Sequence, residues 1–192
     1  MSVRLRGAAV ELRPFREEEY DAVLAAELSG AQPDAATVER ARTRIASSGT
    51  WGPSELLLAV DVDGAVIGTC QIRRGMGALP PGVFELGIEL FDGARGKGHG
   101  TDVIVTVARY LFEEEGAIRV QLGTDIDNAA MRRSAEKAGY RFEGLMRSFW
   151  EVPGAEPRDY ALYARTRADH ERGDATAAED DAGKEAGWTR TS

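Results

Sequence analysis

Apolar residues repeat along the chain with two different periods, and the order of these segments predicts the fold class. Residues alternate between apolar and polar in 84–90, as expected of a strand, whereas the stretch from Gly98 to about Glu115 carries an apolar stripe at helical spacing. The predicted strands are Ala8–Pro14, 56–62, Ala65–Arg73, 84–90, 118–122 and two more that begin near Tyr140 and Arg158. The predicted helices are Arg16–Leu28, Asp34–Ile45, Gly98–Glu115 and Asn128–Ala138.

This order of elements predicts an α/β (α+β) domain with a mixed, mostly antiparallel central sheet flanked by helices. Strands and helices do not alternate evenly, which argues against a TIM barrel or a doubly wound sheet. The Asp63-Gly64 dipeptide between two predicted strands indicates a tight hairpin. We therefore expect residues 1–166 to form one domain.

The composition changes at the end of the chain. From Arg167 onward the sequence is rich in Ala, Gly, Asp and Glu, and Trp188 is its one large apolar residue. Such a segment buries too little apolar area to offset the entropy lost on ordering. We predict that 167–192 is a flexible acidic tail.

Charge and composition exclude several classes of function. The net charge of −8 argues against nucleic-acid binding, and it fits either simple solubility or a cationic acceptor. Cys70 is the single cysteine, so no internal disulfide can form, and no metal site is expected. There is no apolar run of membrane-spanning length, and Arg4 and Arg6 are not followed by an apolar signal region. We expect a cytoplasmic protein that does not bind membranes.

The most informative segment is Arg95-Gly96-Lys97-Gly98-His99-Gly100-Thr101, which lies between a predicted strand and a predicted helix. Its glycines allow a tight turn and a close backbone approach to a ligand. The helix that follows presents unpaired N–H groups and the positive end of its dipole to the loop. Arg95 and Lys97 add positive charge, so the loop predicts a pyrophosphate site.

Other phosphate-binding loops fit this segment less well. A Walker A loop would need glycine where Phe91 stands and Ser or Thr where Gly98 stands. A dinucleotide-binding fingerprint would need glycine in place of Thr101. An unrelated nucleotide-binding domain is therefore the weakest alternative.

Two motifs together resemble the GNAT family of N-acetyltransferases. The pattern Arg95-x-x-Gly98-x-Gly100 resembles the acyl-CoA signature of that family. The run from Asn128 through Glu136-Lys137-Ala138-Gly139-Tyr140 to Glu143-Gly144 is similar to its RimJ/RimL-type branch. The resemblance covers roughly residues 8–166 and implies an enzyme that transfers an acetyl group from acetyl-CoA to an amine.

The resemblance also implies which residues hold the co-substrate. Backbone N–H groups of the loop would bind the pyrophosphate, the strand end at Ile88–Leu90 would pair with pantetheine, and Asn128 would bond the pantetheine arm. Arg133 would reach a phosphate, His99 would pack the loop or touch phosphate, and Lys137 is expected to be a helix-end cation only. The predicted cofactor-binding residues are Ile88, Leu90, Arg95, Gly96, Lys97, Gly98, His99, Gly100, Thr101, Asn128 and Arg133.

The catalytic groups are less well defined by the sequence. Glu85 and Glu89 lie on the polar face of the strand before the loop, and we expect Glu85 to be the general base, with pairing to an arginine as its alternative role. Relatives often carry a Ser or Tyr acid on the helix headed by Asn128, where this chain has Met131 and Ala135. Ser134 or water would then return the proton.

Two functional hypotheses remain open at this point. The first is an N-acetyltransferase that acts by direct attack of a primary amine, either a protein N-terminus or a small molecule. The second is a non-catalytic acyl-CoA-binding regulatory module, which would keep the loop but need no base or acid. A homodimer is expected by analogy, because exposed sheet edges often pair in such folds.

Overall fold

One sheet of eight strands lies at the centre of the described chain. The computed structural model describes residues 2–27, 33–75 and 79–173. The strands are Leu5–Arg6 (β1), Glu11–Arg13 (β2), Glu55–Val62 (β3), Ala65–Arg74 (β4), Val83–Leu90 (β5), Arg119–Asp125 (β6), Arg141–Trp150 (β7) and Arg158–Thr166 (β8). The helices are Tyr20–Glu27 (α1, preceded by a 3-10 turn at Glu17–Glu19), Ala35–Ala46 (α2), His99–Glu113 (α3), Ala129–Lys137 (α4) and Arg167–Glu171 (α5).

The sheet is mixed and mostly antiparallel, as the sequence predicts. Its strand order is β1-β2-β3-β4-β5-β6-β8-β7, and each neighbouring pair is antiparallel except β5 and β6. The hairpin predicted at Asp63-Gly64 is present, and both residues have positive φ. The predicted fold class is therefore confirmed.

Helices cover both faces of the sheet, and each face has its own apolar core. Val103, Ile104 and Val107 of α3 pack with Leu56 and Leu58 of β3 in the larger cluster. On the other face, the smaller cluster joins α1 and α2 to β3, through Val23, Leu24, Ile45, Leu57 and Ala59. This alternation along β3 is the reason its residues are buried on both sides.

The sequence predicts one N-terminal strand, Ala8–Pro14, but only Glu11–Arg13 of that segment is a strand. The chain instead forms the short hairpin of β1 and β2 with a turn at residues 7–10. The carboxylate of Asp102 in α3 accepts hydrogen bonds from the backbone N–H groups of Ala8, Ala9 and Val10, at 2.9, 2.7 and 3.0 Å. These N–H groups therefore bond to a side chain rather than to a neighbouring strand.

The first residues of the predicted tail are helical. Arg167–Glu171 form α5, in which Thr166 and Asp169 make a capping box and the His170 ring stacks on Phe112 with centroids 4.8 Å apart. Asp169 is buried beside Arg141. The remaining tail, 174–192, lies outside the described residues, as do residue 28 of the first predicted helix and residues 76–78 of the loop before β5.

Among the described residues, no helix is both long enough and apolar enough to cross a lipid bilayer.

A buried ion cluster joins β2, β3 and the 3-10 turn on the face covered by α1. The Arg13 side chain is 1% exposed and donates to Asp61 at 2.6 and 2.9 Å and to Glu19 at 2.6 and 2.9 Å. It also donates to the carbonyl of Pro14 at 2.8 Å. One guanidinium thus compensates two carboxylates away from bulk water.

We predict that Arg13→Ala lowers the free energy of unfolding by about 3–5 kcal/mol, because it leaves the buried Asp61 carboxylate without a cation and Glu19 with only the more distant Arg16 at 3.5 Å. Arg4→Ala is the matched control, since Arg4, just before β1, pairs with Glu11 of β2 but is 60% exposed. Arg4→Ala should lower the free energy of unfolding by less than about 1 kcal/mol. Urea denaturation at pH 7 measures both, and equal losses would contradict the role given to Arg13.

The difference in the free energy of unfolding between the wild type and Arg13→Ala also depends on pH. Burial raises the pKa of Glu19, but hydrogen bonds from Arg13 and from the Arg16 backbone N–H outweigh burial, so the pKa lies below its ordinary value of 4.5. A carboxylate with a lowered pKa stabilises the fold above its unfolded pKa and loses that contribution as the pH falls through its folded pKa. The difference should therefore narrow below about pH 4.5.

Candidate acyl-CoA and acceptor site

The central feature of the site is a gap between β5 and β6. β5 pairs with β4 over Phe84–Leu90, but only Val83–Glu85 pair with Arg119–Gln121 of β6. Beyond these three pairs, the edge of β5 that faces β6 carries no strand among the described residues. A cavity of about 430 Å³, which we call the splay cleft, opens beside Ile88–Leu90.

The glycine-rich loop forms one end of the splay cleft. Gly96 and Gly98 have φ of +77° and +87°, in the region where a side chain is strained, and a Cβ on either would meet no atom within 4 Å. Gly98 is the N-cap of α3 and supplies no side-chain cap. The N–H groups of the first turn of α3 are therefore left to bind solvent or an anion.

Cationic side chains line the splay cleft on both sides of its loop end. Arg95 lines the cleft and donates from Nε to the carbonyl of Leu90 at 3.0 Å, which ties the loop to the end of β5. Arg133 and Lys137 line the opposite wall, on α4. Lys97 is exposed and His99 half-buried, and neither lines the cleft.

The wall formed by α4 begins at Asn128. The side-chain oxygen of Asn128, which lines the cleft, accepts from the Met131 N–H at 3.1 Å and so caps α4, and this cap does not use the amide N–H groups of Asn128. Met131 and Ser134 also line the cleft, whereas Ala135 is buried in the core. The helix thus presents Ser134 and not Ala135 to a ligand.

Glu85 lies on the face of β5 opposite to Phe84 and Leu86, within a row of hydrogen-bonded side chains. Arg73 donates to it at 2.6 Å and Gln121 at 3.4 Å. The row continues on both sides, and we call it the polar ladder: Glu55, Gln71, Arg73, Glu85, Gln121, Arg119 and Glu143. Both carboxylate oxygens of Glu85 are engaged, and Glu85 does not line the splay cleft.

Glu89 lies four residues further along β5 than Glu85, on the same face of the strand. A second cavity of about 400 Å³, the α2 cleft, lies between α2 and the face of the sheet that carries the polar ladder. Its lining residues are Ala41, Arg44, Leu57, Thr69, Gln71, Gly87, Ile88 and Glu89. Ile88 and Glu89 line both clefts, so the two cavities meet at this point of β5.

A family model decides the assignment that the geometry suggests. The acetyltransferase (GNAT) domain matches residues 9–141, which is more than half of the chain. The chain belongs to the GNAT family. It is thus an acetyl-CoA-dependent acetyltransferase, as predicted from the loop and the helix headed by Asn128, and the non-catalytic module is not favoured.

Solved structures of GNAT-family enzymes have the same fold. RimJ from Mycobacterium smegmatis in complex with CoA-disulfide is 21% identical, with a TM-score of 0.66 over 96% of this chain and 94% of that one. RimL, a ribosomal L7/L12 α-N-protein acetyltransferase in complex with coenzyme A, is 15% identical, with a TM-score of 0.68 over 85% and 98%. A GNAT-family acetyltransferase from Bacillus anthracis is 18% identical, with a TM-score of 0.68 over 86% and 99%.

Most residues expected to hold acyl-CoA in this GNAT enzyme do lie together. The splay cleft is lined by nine of them: Ile88, Leu90, Arg95, Gly96, Gly98, Gly100, Thr101, Asn128 and Arg133. Lys97 and His99 belong to the loop without lining the cleft, and Lys137, expected to be a helix-end cation only, lies on its wall. Of the predicted catalytic residues, Ser134 and Glu89 reach the splay cleft and Glu85 does not.

Sequence reasoning missed the α2 cleft. Its residues come from one helix and three strands, and of these the sequence pointed only to Ile88 and Glu89. The pairing of Leu57 with Gln71 and of Gln71 with Gly87 brings them into one row across the sheet. Strand register was the only signal that could have found this row, and the sequence patterns do not fix the register.

Proposed function

We propose that this GNAT enzyme binds acetyl-CoA in the splay cleft and transfers the acetyl group to an amine that enters from the α2 cleft. The observation that carries the proposal is the gap between β5 and β6 beside the uncapped start of α3. An extended, amide-bearing arm can pair with the open edge at Ile88–Leu90 in the way a strand would. A pyrophosphate at the other end would bind the N–H groups of Gly98–Thr101.

The charges around the cleft support this placement. Arg95, Arg133 and Lys137 line the same cavity as the loop, and no carboxylate except Glu89 does so among the described residues. Phosphate groups at the loop end would therefore lie among cations, whereas Glu89 is placed on β5 where the two clefts meet. The Ser134 hydroxyl lies near the first turn of α3, since its Oγ would be 3.8 Å from a Cβ on Gly100. We assign Ser134 to co-substrate contact, with water as the proton donor.

In the proposed reaction, the amine nitrogen attacks the thioester carbonyl carbon, the C–N bond forms and the C–S bond breaks. An ammonium group must lose a proton first, and we propose that Glu89 accepts it, directly or through water. An α-amino group is already neutral to roughly ten per cent at pH 7, while a lysine-type amine is almost wholly charged. The thiolate leaves with the bonding electrons, and the proton that the nitrogen loses as the amide forms reaches the thiolate through water. A thiolate of this kind needs only weak protonation, by analogy with a cysteine thiol.

We predict that Gly98→Asp abolishes acetyl-CoA binding. The substitution puts a side chain and a negative charge where the pyrophosphate would bind, at φ of +87°. Isothermal calorimetry with acetyl-CoA should show saturable binding to the wild type, none to Gly98→Asp, and none to the wild type with ATP.

Gly64→Asp is the matched control for backbone strain. Gly64 has φ of +85°, and a Cβ there also meets no atom within 4 Å, but it lies in the β3–β4 turn outside both clefts. It should bind acetyl-CoA as the wild type does, with a similar loss of thermal stability to Gly98→Asp. A folded wild type without acetyl-CoA binding would overturn the proposal.

We predict that Glu89→Gln lowers kcat about a hundredfold or more while the Kd for acetyl-CoA stays unchanged, because the base is lost and the loop is intact. Glu85→Gln is the comparison, since Glu85 is engaged by Arg73 at 2.6 Å and does not line the splay cleft. Its activity should fall by less than tenfold. The opposite ranking of the two variants would return the role of base to Glu85.

A further inference from the structure

Two large aromatic side chains are exposed at the end of β7. Phe149 is 53% exposed and Trp150 is 56% exposed. Both rings lie against Tyr160 of β8, with ring centroids 5.2 and 6.1 Å from the Tyr160 centroid. We call these three residues the aromatic patch. Neighbouring exposed aromatic side chains on one surface are typical of a site that binds a ligand or another chain.

The backbone of β7 is irregular where it presents the aromatic patch. Neighbouring residues of a regular strand point to opposite faces, but here the register with β8 shifts between Met146 and Trp150, and two successive rings contact the same residue. Within this segment, Ser148 has φ of +49°, which a residue with a Cβ rarely adopts. Its N–H donates to the Asp159 carboxylate at 2.8 Å, which holds this conformation. Backbone conformations of this kind cluster at ligand sites.

Strand register places the aromatic patch on the face of the sheet that carries the α2 cleft. Glu85 of β5 pairs with Gln121 of β6, and Asp125 of β6 pairs with Tyr160 of β8. Because β5 and β6 are parallel, continuing their register puts Glu89 level with Asp125. Paired residues, and residues two apart in a strand, point to the same face. Glu89 and the aromatic patch therefore lie in one row across the sheet.

The floor beside this row carries no side chains between the α2 cleft and the aromatic patch. Gly87, which lines the α2 cleft, lies level with Gly123 of β6, which is exposed. A Cβ on Gly123 would lie 3.7 Å from the Tyr160 ring, so the patch begins directly beside this glycine. The Asp125 carboxylate of the row pairs with Arg158 at 2.6 Å. An acceptor can thus extend from the α2 cleft over the two glycines to the patch.

The length of this path suits an extended polypeptide. Two strand spacings separate β5 from β8, which is about 10 Å in a regular sheet and more here because β5 and β6 part. An extended chain with its amine at Glu89 covers such a distance in about three or four residues, at about 3.3 Å per residue. A polypeptide α-amino group is also neutral to a far larger extent at pH 7 than a lysine amine.

We propose that the acceptor is an extended polypeptide N-terminus, and that the aromatic patch binds an apolar side chain at about its third to fifth residue while its amine lies at Glu89. The inference rests on the proposed function, since it takes the amine to enter from the α2 cleft. Aromatic rings offer large contact areas to apolar side chains, and interfaces depend on a few such contacts. The patch then selects among N-termini by a residue that takes no part in the chemistry.

The test uses short glycine–serine peptides with a free α-amine that carry one phenylalanine at the second, fourth or seventh position, or none. Glycinamide and a peptide with a blocked N-terminus and one internal lysine complete the panel. Acetyl transfer is measured as CoA release. The enzymes are the wild type, Trp150→Ala and Ile118→Ala, the last being the matched control because Ile118 is also 56% exposed but lies at the opposite end of β6 from Asp125.

A further variant, Gly123→Val, obstructs the floor. Gly123 does not have a positive φ, and a Cβ there would be 3.4 Å from the Met146 side chain and 3.7 Å from Tyr160, which are ordinary contacts. The variant should therefore fold. We expect it to lower kcat/KM for every peptide more than for glycinamide, which does not reach beyond the α2 cleft.

The wild type should favour phenylalanine at the fourth position by about tenfold in kcat/KM over the peptide without phenylalanine, since the patch buries a large apolar side chain. The advantage should be smaller at the second and seventh positions. Trp150→Ala should bring the ratio close to one, whereas Ile118→Ala should keep it. The peptide whose only amine is a lysine should react more slowly than the free N-termini.

Calorimetry with acetyl-CoA on the same samples separates this inference from the proposed function. If acetyl-CoA binds but no peptide reacts, or phenylalanine gives no advantage, or Trp150→Ala keeps the ratio, or the lysine peptide reacts as well as the free N-termini, the inference is overturned and the acyl-CoA site stands. A dimer in sedimentation that Trp150→Ala dissociates would assign the patch to contact between two copies and overturn the inference too. A folded wild type without acetyl-CoA binding removes both.

Discussion

The parting of β5 from β6 is the constraint on which the rest of the site depends. The polar ladder bridges the two strands at Glu85 and Gln121, which is their last register pair. The next positions on that face are Gly87 and Gly123, and neither has a side chain that could bridge the gap. β4 continues to pair with β5 as far as Leu90, so the strand stays extended while its other edge opens. The gap is therefore built into the register and sequence of the sheet.

The start of α3 is held in a fixed position relative to this gap. Asp102, in the first turn of α3, binds three backbone N–H groups of the β1–β2 turn, and the apolar stripe of the helix packs on the sheet. At the other side of the loop, Arg95 bonds to the Leu90 carbonyl. Both ends of the loop are thus anchored, which sets where its N–H groups lie relative to the open edge of β5, as a ligand with a phosphate end and an extended arm requires.

The sequence predicts a feature of the fold or the site when the interactions that form it lie close together along the chain. The Asp63-Gly64 hairpin, α3 with its glycine-rich loop and the cap at Asn128 are local features, written within a few consecutive residues. Ala8–Val10 were wrongly included in a strand because their partner, Asp102, is more than ninety residues away. The roles of Glu85 and Glu89 differ for the same reason. Period two places both on one strand face, but only the cross-strand partner Arg73 shows that Glu85 is engaged in the polar ladder.

The two clefts lie on opposite faces of β5 and share only Ile88 and Glu89, and this separation has a consequence for specificity. The splay cleft is formed by the loop, α3 and α4, which also carry the motifs that resemble the family. The α2 cleft is formed by α2 and the faces of β3, β4 and β5, where this sequence carries no motif. Residues on α2 can therefore change without disturbing the splay cleft, provided that Ile88 and Glu89 stay in place. A single backbone segment of β5 thus joins the cleft whose elements carry the motifs to a second cleft whose lining on α2 is separate from them.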